Sequence, residues 1–252
     1  MSSSPSPEFV RTAESITRWV KEVTSIPVIV KLTPNVTDVA EIAIAAQREG
    51  ADALAAINTV QCLIGVDLDR LEPLPSVRGK STFGGYSGRA VKPIGLRVVA
   101  QAAATTGLPV MGMGGVTTWE DAAEYIAVGA GTVQVCTAVM AHGFSVLIPM
   151  LKGLDAYLSQ KGMASPEALL GAALAKVTRH DALDRTVRVQ AWEAHPEKCT
   201  LCRRCFLACS DAGANAISIA GLNLQIDAAR CDGCSLCTYV CPSHALELHE
   251  VA

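Results

Sequence analysis

The chain has 252 residues, a length for one to two domains. Its 21 Lys+Arg against 24 Asp+Glu give a net charge of −3, which argues against a nucleic-acid binder, because phosphate contacts need a basic face. Hydrophobic content of 50% with 18% charged residues excludes a disordered chain, and no apolar run approaches the ~20 residues that span a bilayer.

The opening MSSSPSPEF has neither the basic nor the apolar region of a secretory signal, so a reducing, cytoplasmic compartment is expected. A helix follows over 8–24, with Phe9, Ile16, Trp19, Val20 and Val23 on one face. Apolar strands are predicted at Pro27–Leu32, Ala53–Asn58, Val110–Met113 and Thr132–Cys136. Helices near 37–49, 91–106 and 118–128 separate them. Strand–helix units with wholly apolar strands mean a parallel sheet, in a barrel or a doubly wound fold. The polar residues collect at the strand C-termini: Lys31, Asn58 and Thr59, Gly114 and Gly115, Cys136 and Thr137. In a (β/α)8 barrel that is the active face, and the last two strands commonly carry a phosphate site. Bare glycine N–H groups ahead of a helix suit an anion, although Gly-Gly after a strand is also an ordinary turn. Residues 151–195 read as a docked helical connector, with helices at Val146–Lys161 and Pro166–Lys176 and a polar stretch to His195-Pro196.

Ten cysteines are present, and eight lie between Cys199 and Cys241. Cys199, Cys202, Cys205 and Cys209 are spaced C-x2-C-x2-C-x3-C. Cys231, Cys234, Cys237 and Cys241 repeat that spacing 32 residues later (231−199), followed by Pro242. An apolar run follows each set, Ala216–Ile219 and Ala245–Leu248. This is the pattern of bacterial two-cluster ferredoxins, in which the fourth cysteine of each set reaches to the other cluster. It implies one [4Fe-4S] cluster on Cys199, Cys202, Cys205 and Cys241, and a second on Cys231, Cys234, Cys237 and Cys209. Structural zinc sites use separated C-x2-C pairs, which the third cysteine does not fit. Cys209 is followed by Ser210-Asp211 instead of the usual proline.

Taken together, Lys31-Leu32-Thr33-Pro34-Asn35, Asn58-Thr59, Gly84-Gly85-Tyr86-Ser87-Gly88, Gly114-Gly115 and Cys136-Thr137 resemble the FMN barrel of the dihydroorotate/dihydropyrimidine dehydrogenase family. The fused ferredoxin narrows the resemblance to the dihydropyrimidine dehydrogenase branch, in its bacterial FMN/iron–sulfur subunit form. The resemblance implies an α/β fold: the C-terminal half of a (β/α)8 TIM barrel over 1–150, the connector over 151–195, and an α+β two-[4Fe-4S] ferredoxin domain over 196–252. It places Lys31 beside the flavin ring, where its charge favours the reduced anion, and Asn58 and Thr59 on the pyrimidine. Gly88, Met113, Gly114, Gly115, Cys136 and Thr137 are implied to line FMN and hold its phosphate and ribityl chain.

A complete barrel has eight strands in typically ~250 residues. Only about four are legible before the connector, and they match the family's last four. The chain is therefore expected to lack the first half of the barrel, including the loop whose cysteine is the general acid, so no catalytic residue is assigned. Cys62 follows a strand on the right face but not at the acid position. The implied activity is reduction of uracil or thymine to 5,6-dihydropyrimidines. Electrons are expected from an NAD(P)H-oxidising FAD/iron–sulfur subunit, in a cytoplasmic oligomer with no nucleic-acid or membrane partner. Two other functions fit the residues: a ferredoxin-type electron-transfer module with a vestigial barrel, or an FMN dehydrogenase acting on dihydroorotate or a hydantoin-like ring.

Overall fold

The computed structural model describes residues 7–183 and 188–251. Residues 1–6 of the MSSSPSPEF opening lie outside the described residues, as do 184–187 of the polar stretch and Ala252. Contacts divide the chain into two units, Met1–Val177 and Thr178–Ala252.

The first unit begins with helix α1 (Pro7–Val23), strand β1 (Ile29–Leu32), helix α2 (Val39–Arg48) and strand β2 (Ala53–Ala56). Four short strands follow: β3 (Val60–Cys62), β4 (Gly65–Asp67), β5 (Glu72–Leu74) and β6 (Gly84–Tyr86). Next come α3 (Lys92–Thr106), β7 (Val110–Met113), α4 (Trp119–Ala127), β8 (Ala130–Gln134), α5 (Thr137–His142) and α6 (Leu147–Gln160). Strands β1, β2, β7 and β8 form one parallel sheet in that order. Its register runs Leu32 against Ala56, Ala56 against Gly112 and Gly112 against Val133. A parallel neighbour needs a long crossover, and helices supply each one here. All four strands therefore end on the same side, which gathers their C-terminal polar residues.

The core combines small and branched side chains: Leu32, Val39, Ala43, Ala46, Leu54, Ala56, Val98, Val99, Ala102 and Val110 are buried. With so many alanines, helices approach the sheet closely, and the large group that fills the space is Tyr125 of α4, 0% exposed. Its room is made by glycine: a Cβ on Gly112 would stand 2.6 Å from the Tyr125 ring. Helix starts are capped as their sequences require. Asp38 accepts from Ala40 N at 2.9 Å, and Thr118 and Asp121 form a reciprocal capping box at α4.

Three sequence expectations are corrected. Pro166–Lys176 is not one helix but two short turns, Pro166–Ala168 and Leu174–Lys176. The N–H groups of Gly171 and Ala173 donate to Ile126 and Ala127 at the end of α4, so the segment caps another helix instead of continuing its own. The last strand is Ala130–Gln134, two residues earlier than expected, because Cys136 stands at the N-cap of α5. Residues 60–86 carry two antiparallel pairs, β3 with β6 and β4 with β5, which the periodicity did not reveal. The apolar face of α1 is exposed, Trp19 by 60%, while Val10 and Ala13 pack on the core.

The second unit holds β9 (Arg188–Glu193), α7 (Arg204–Asp211), β10 (Ile217–Ala220), β11 (Asn223–Ile226), α8 (Leu236–Tyr239) and β12 (Leu246–Val251). Of the segment 151–195, α6 belongs to the first unit and β9 to the second. Strands β9 and β12 pair antiparallel, as do β10 and β11. The 32-residue repeat extends to the backbone. Arg203 and Ser235 both precede a short helix at positive φ (63° and 64°), and Leu201 and Gly233 also share positive φ (53° and 71°). No helix among the described residues is long and apolar enough to cross a membrane.

Candidate functional site

At the C-terminal edge of the parallel sheet lies a cavity of about 460 Å³. Lys31, Asn58, Thr59, Gly88, Met113, Gly114, Gly115, Cys136 and Thr137 all line it. Sequence positions spread over 107 residues (137−31 = 106 steps) thus converge on one wall. Tyr86, Ser87, Arg89, Gln134 and His142 also face it, and no carboxylate among the described residues does. Cys62 lines a separate hollow with Ile64, Leu74 and Val77.

Each part of the wall has a local cause. Asn58 N donates to Leu32 O at 2.9 Å, fixing the end of β2 beside β1. Asn35 holds the next residues: its Nδ2 donates to Thr59 O at 2.9 Å and its Oδ1 accepts from Gln61 N at 2.8 Å. The opposite end is built from Gly114 and Gly115, at φ 119° and 76°, a region open to glycine. A Cβ on Gly115 would stand 2.9 Å from both Gly88 O and Lys92 N. A side chain there would close the cradle. Thr137 Oγ1 donates to Ser87 Oγ at 3.2 Å, joining α5 to the segment before α3.

Behind the glycines is a polar brace that the sequence reading missed. Tyr125 OH donates to Gly114 O at 2.8 Å and Met113 O at 3.2 Å. Burial, then the nearby Asp121 and Glu124 carboxylates, hold this phenol protonated well above its ordinary range. Asp121, 2% exposed, accepts from Thr117 N, Thr117 Oγ1, Thr118 N and Lys92 Nζ at 2.6–3.0 Å. Burial alone would raise its pKa. The bonds from Lys92, Thr117 and Thr118 outweigh it and hold the carboxyl at about 2. Lys92 also meets Glu124 at 2.8 Å, and its pKa is raised by Asp121 first and Glu124 second. A signal for the brace was present in Thr118-x-x-Asp121, the capping-box spacing.

In the second unit the eight cysteines surround two spaces. Cys199, Cys202, Cys205 and Cys241 line one; Cys209, Cys231, Cys234 and Cys237 line the other. Backbone donors point at the sulfurs: Ala216 N to Cys209 at 3.2 Å, Ala245 N to Cys241 at 3.3 Å and Ala191 N to Cys231 at 3.4 Å. Burial, with Cys231 and Cys234 beside it, pushes the Cys237 thiol up to about 11. A thiolate there needs compensating positive charge, which cluster iron would supply. Four soft donors around each space, with N–H groups aimed at the sulfurs, fit an iron–sulfur cluster. The glycine cradle and the carboxylate-free wall fit a flavin phosphate in the first unit.

The chain matches the dihydroorotate dehydrogenase family over residues 8–158 and the 4Fe-4S dicluster domain over 193–248. It is 41% identical to the PreA subunit of NAD-dependent dihydropyrimidine dehydrogenase from Escherichia coli (strain K12), over 98% of this chain and 60% of that one. It is 45% identical to the catalytic subunit of dihydroorotate dehydrogenase B (NAD(+)) from Pyrococcus abyssi, over 63% of this chain and 52% of that one. It is 36% identical to the chloroplastic dihydropyrimidine dehydrogenase (NADP(+)) of Arabidopsis thaliana, over 73% of this chain and 45% of that one. The chain thus spans at most 60% of the length of these relatives. FMN and two [4Fe-4S] clusters are the cofactors that the two matched regions bring. With a flavin-type cavity on the parallel sheet of its first unit and two four-thiol sites in its second, the chain belongs to the dihydroorotate dehydrogenase family and carries an iron–sulfur dicluster domain.

Proposed function

We propose that this chain forms part of a cytoplasmic dihydropyrimidine dehydrogenase that reduces uracil or thymine to the 5,6-dihydro form. The observation that carries the reading is the joint presence, on one chain, of the lined cavity and two interleaved four-cysteine sites. A relative of that name aligns with 98% of this chain, both units included, whereas the dihydroorotate dehydrogenase B relative aligns with 63%. Bound FMN supplies hydride chemistry, and the clusters supply single-electron transfer from an NAD(P)H-oxidising FAD/iron–sulfur subunit.

The chain's own residues bind and orient. The eight cysteines hold the clusters in the interleaved sets given above. Gly88 lines FMN, Met113, Gly114, Gly115, Cys136 and Thr137 hold its phosphate and ribityl chain, and Lys31 brings positive charge to the flavin-ring end. Asn58 and Thr59 bind the pyrimidine. The Asn58 amide offers both a donor and an acceptor, which a ring of alternating carbonyl and N–H groups requires. No residue among those described is assigned the protonation at C5. Positioned general acids contribute about 10²–10⁴-fold, so the isolated chain is expected to turn over slowly or not at all.

The test is anaerobic. The FMN-loaded chain should change its flavin absorbance on binding uracil or thymine and not on binding dihydroorotate. Mixed with the other segments of the dehydrogenase and its NADH-oxidising subunit, it should yield dihydrouracil. A flavin response to dihydroorotate alone would overturn the pyrimidine reading.

A further inference from the structure

We infer that Arg89 supplies the charge that selects a phosphorylated flavin, a phosphate monoester, over its dephosphorylated form at the glycine end of the cavity. The inference rests on the FMN reading above and adds a residue to it. A phosphate monoester carries between one and two negative charges near pH 7. Glycine N–H groups orient such an anion, but full neutralisation takes a cation.

Among the described residues, three basic side chains line the cavity: Lys31, Arg89 and His142. Lys31 is on β1, and the glycine cradle follows β7, two strands away in the sheet. Thr137 follows β8, a third strand over. At ~4.8 Å per strand, Lys31 stands roughly 10–14 Å from the phosphate end, at the other side of the cavity. The segment that carries Arg89 lies on the phosphate end. Gly88 O and Lys92 N flank the Cβ direction of Gly115, and a Cβ on Gly88 would stand 3.6 Å from Thr137 Cγ2. Ser87 is bonded to Thr137.

Lys92 is close by, but its ammonium is committed to Asp121 at 2.6 Å and Glu124 at 2.8 Å. That charge is spent within the brace and adds little net field at the cavity. Arg89 takes part in none of the ion pairs among the described residues. Arg89 is exposed, and no carboxylate among the described residues shares the cavity wall with it. A free, planar fork beside a glycine cradle matches the oxygens of a phosphate.

The experiment compares FMN with riboflavin, which differ by the phosphate alone. Each is titrated into the deflavinated full chain, with binding read by quenching of flavin fluorescence. Wild type should prefer FMN, and inorganic phosphate should compete with FMN and not with riboflavin. Arg89→Gln should weaken FMN about tenfold or more and leave riboflavin within about twofold. Arg89→Lys should fall between the two, keeping the charge but losing the fork. Circular dichroism of both variants checks that the fold is retained. An unchanged FMN-to-riboflavin ratio in Arg89→Gln would overturn the role of Arg89 while leaving the glycine cradle standing. A wild-type chain with no preference for FMN would instead overturn the cradle, and the inference with it.

Discussion

The two units of this chain hold themselves together by different means. The first buries a continuous set of aliphatic side chains and one tyrosine, and its polar brace is complete within the protein. The second has a far smaller core: Ala191, Ala216, Ile217 and Leu246 are joined there by Cys205, Cys209 and Cys237. Among the described residues, three of the seven that pack together in this core are thus thiols that line the cluster spaces. Apolar burial is worth ~25 cal/mol per Å², and a unit of this size gains little from so few aliphatic groups. Its folding energy must come largely from ligation. The same chain therefore joins a body that folds by packing to one that folds by binding metal.

The largest expected effect is on the second unit. Cys234→Ala should take one cluster with it, lowering iron from about eight per chain towards four, and should unfold residues 188–251. Iron analysis with near-UV circular dichroism reads both. Cys62→Ala, outside both cluster sets, should leave iron unchanged. A protein that binds zinc and no iron under anaerobic preparation would break the comparison at its root.

Next is the brace of the first unit. Asp121→Ala leaves the Thr117 and Thr118 donors without an acceptor and Lys92 with Glu124 alone, and should cost about 3 kcal/mol in urea unfolding. The pH dependence has a definite sign. The Asp121 pKa is depressed from 3.8 to about 2, so its contribution is fully present above about pH 4. That contribution is lost as pH falls through about 2. Acid unfolding of Asp121→Asn, monitored by Trp fluorescence, should lack that part of the loss. Tyr125→Phe is smaller, about 1–2 kcal/mol, because one hydroxyl leaves the Gly114 carbonyl unpaired. It should also loosen FMN, since that carbonyl belongs to the glycine cradle. Smallest is Trp19→Ser. Trp19 is 60% exposed and outside the core, so stability should change by no more than about 0.5 kcal/mol.

These differences also explain what could be read from the residues beforehand. The cysteine spacing carried both cluster sets, because covalent ligand geometry is written directly in sequence separation. The apolar strands carried the parallel sheet, and so placed Lys31, Asn58, Gly114 and Thr137 on one edge. Residues 60–86 escaped because their strands are three residues long, too short for a period of two to show. β9 escaped because its partner, β12, is more than 50 residues away and its burial is set by that pairing. The roles of Asn35, Arg89 and Tyr125 depend on contacts between distant elements, which no local pattern records. Tyr125 lies within the helix expected near 118–128, and nothing local marks that its hydroxyl holds the Gly114 carbonyl.

The most direct test of the central claim removes iron and follows each unit separately. Hydrogen exchange read by mass spectrometry, before and after anaerobic chelation of the clusters, resolves both in one experiment. Peptides from 188–251 should lose protection together with the iron, while peptides covering β1, β2, β7 and β8 should keep theirs and the chain should still bind FMN. Protection of 188–251 that survives complete loss of iron would contradict the account.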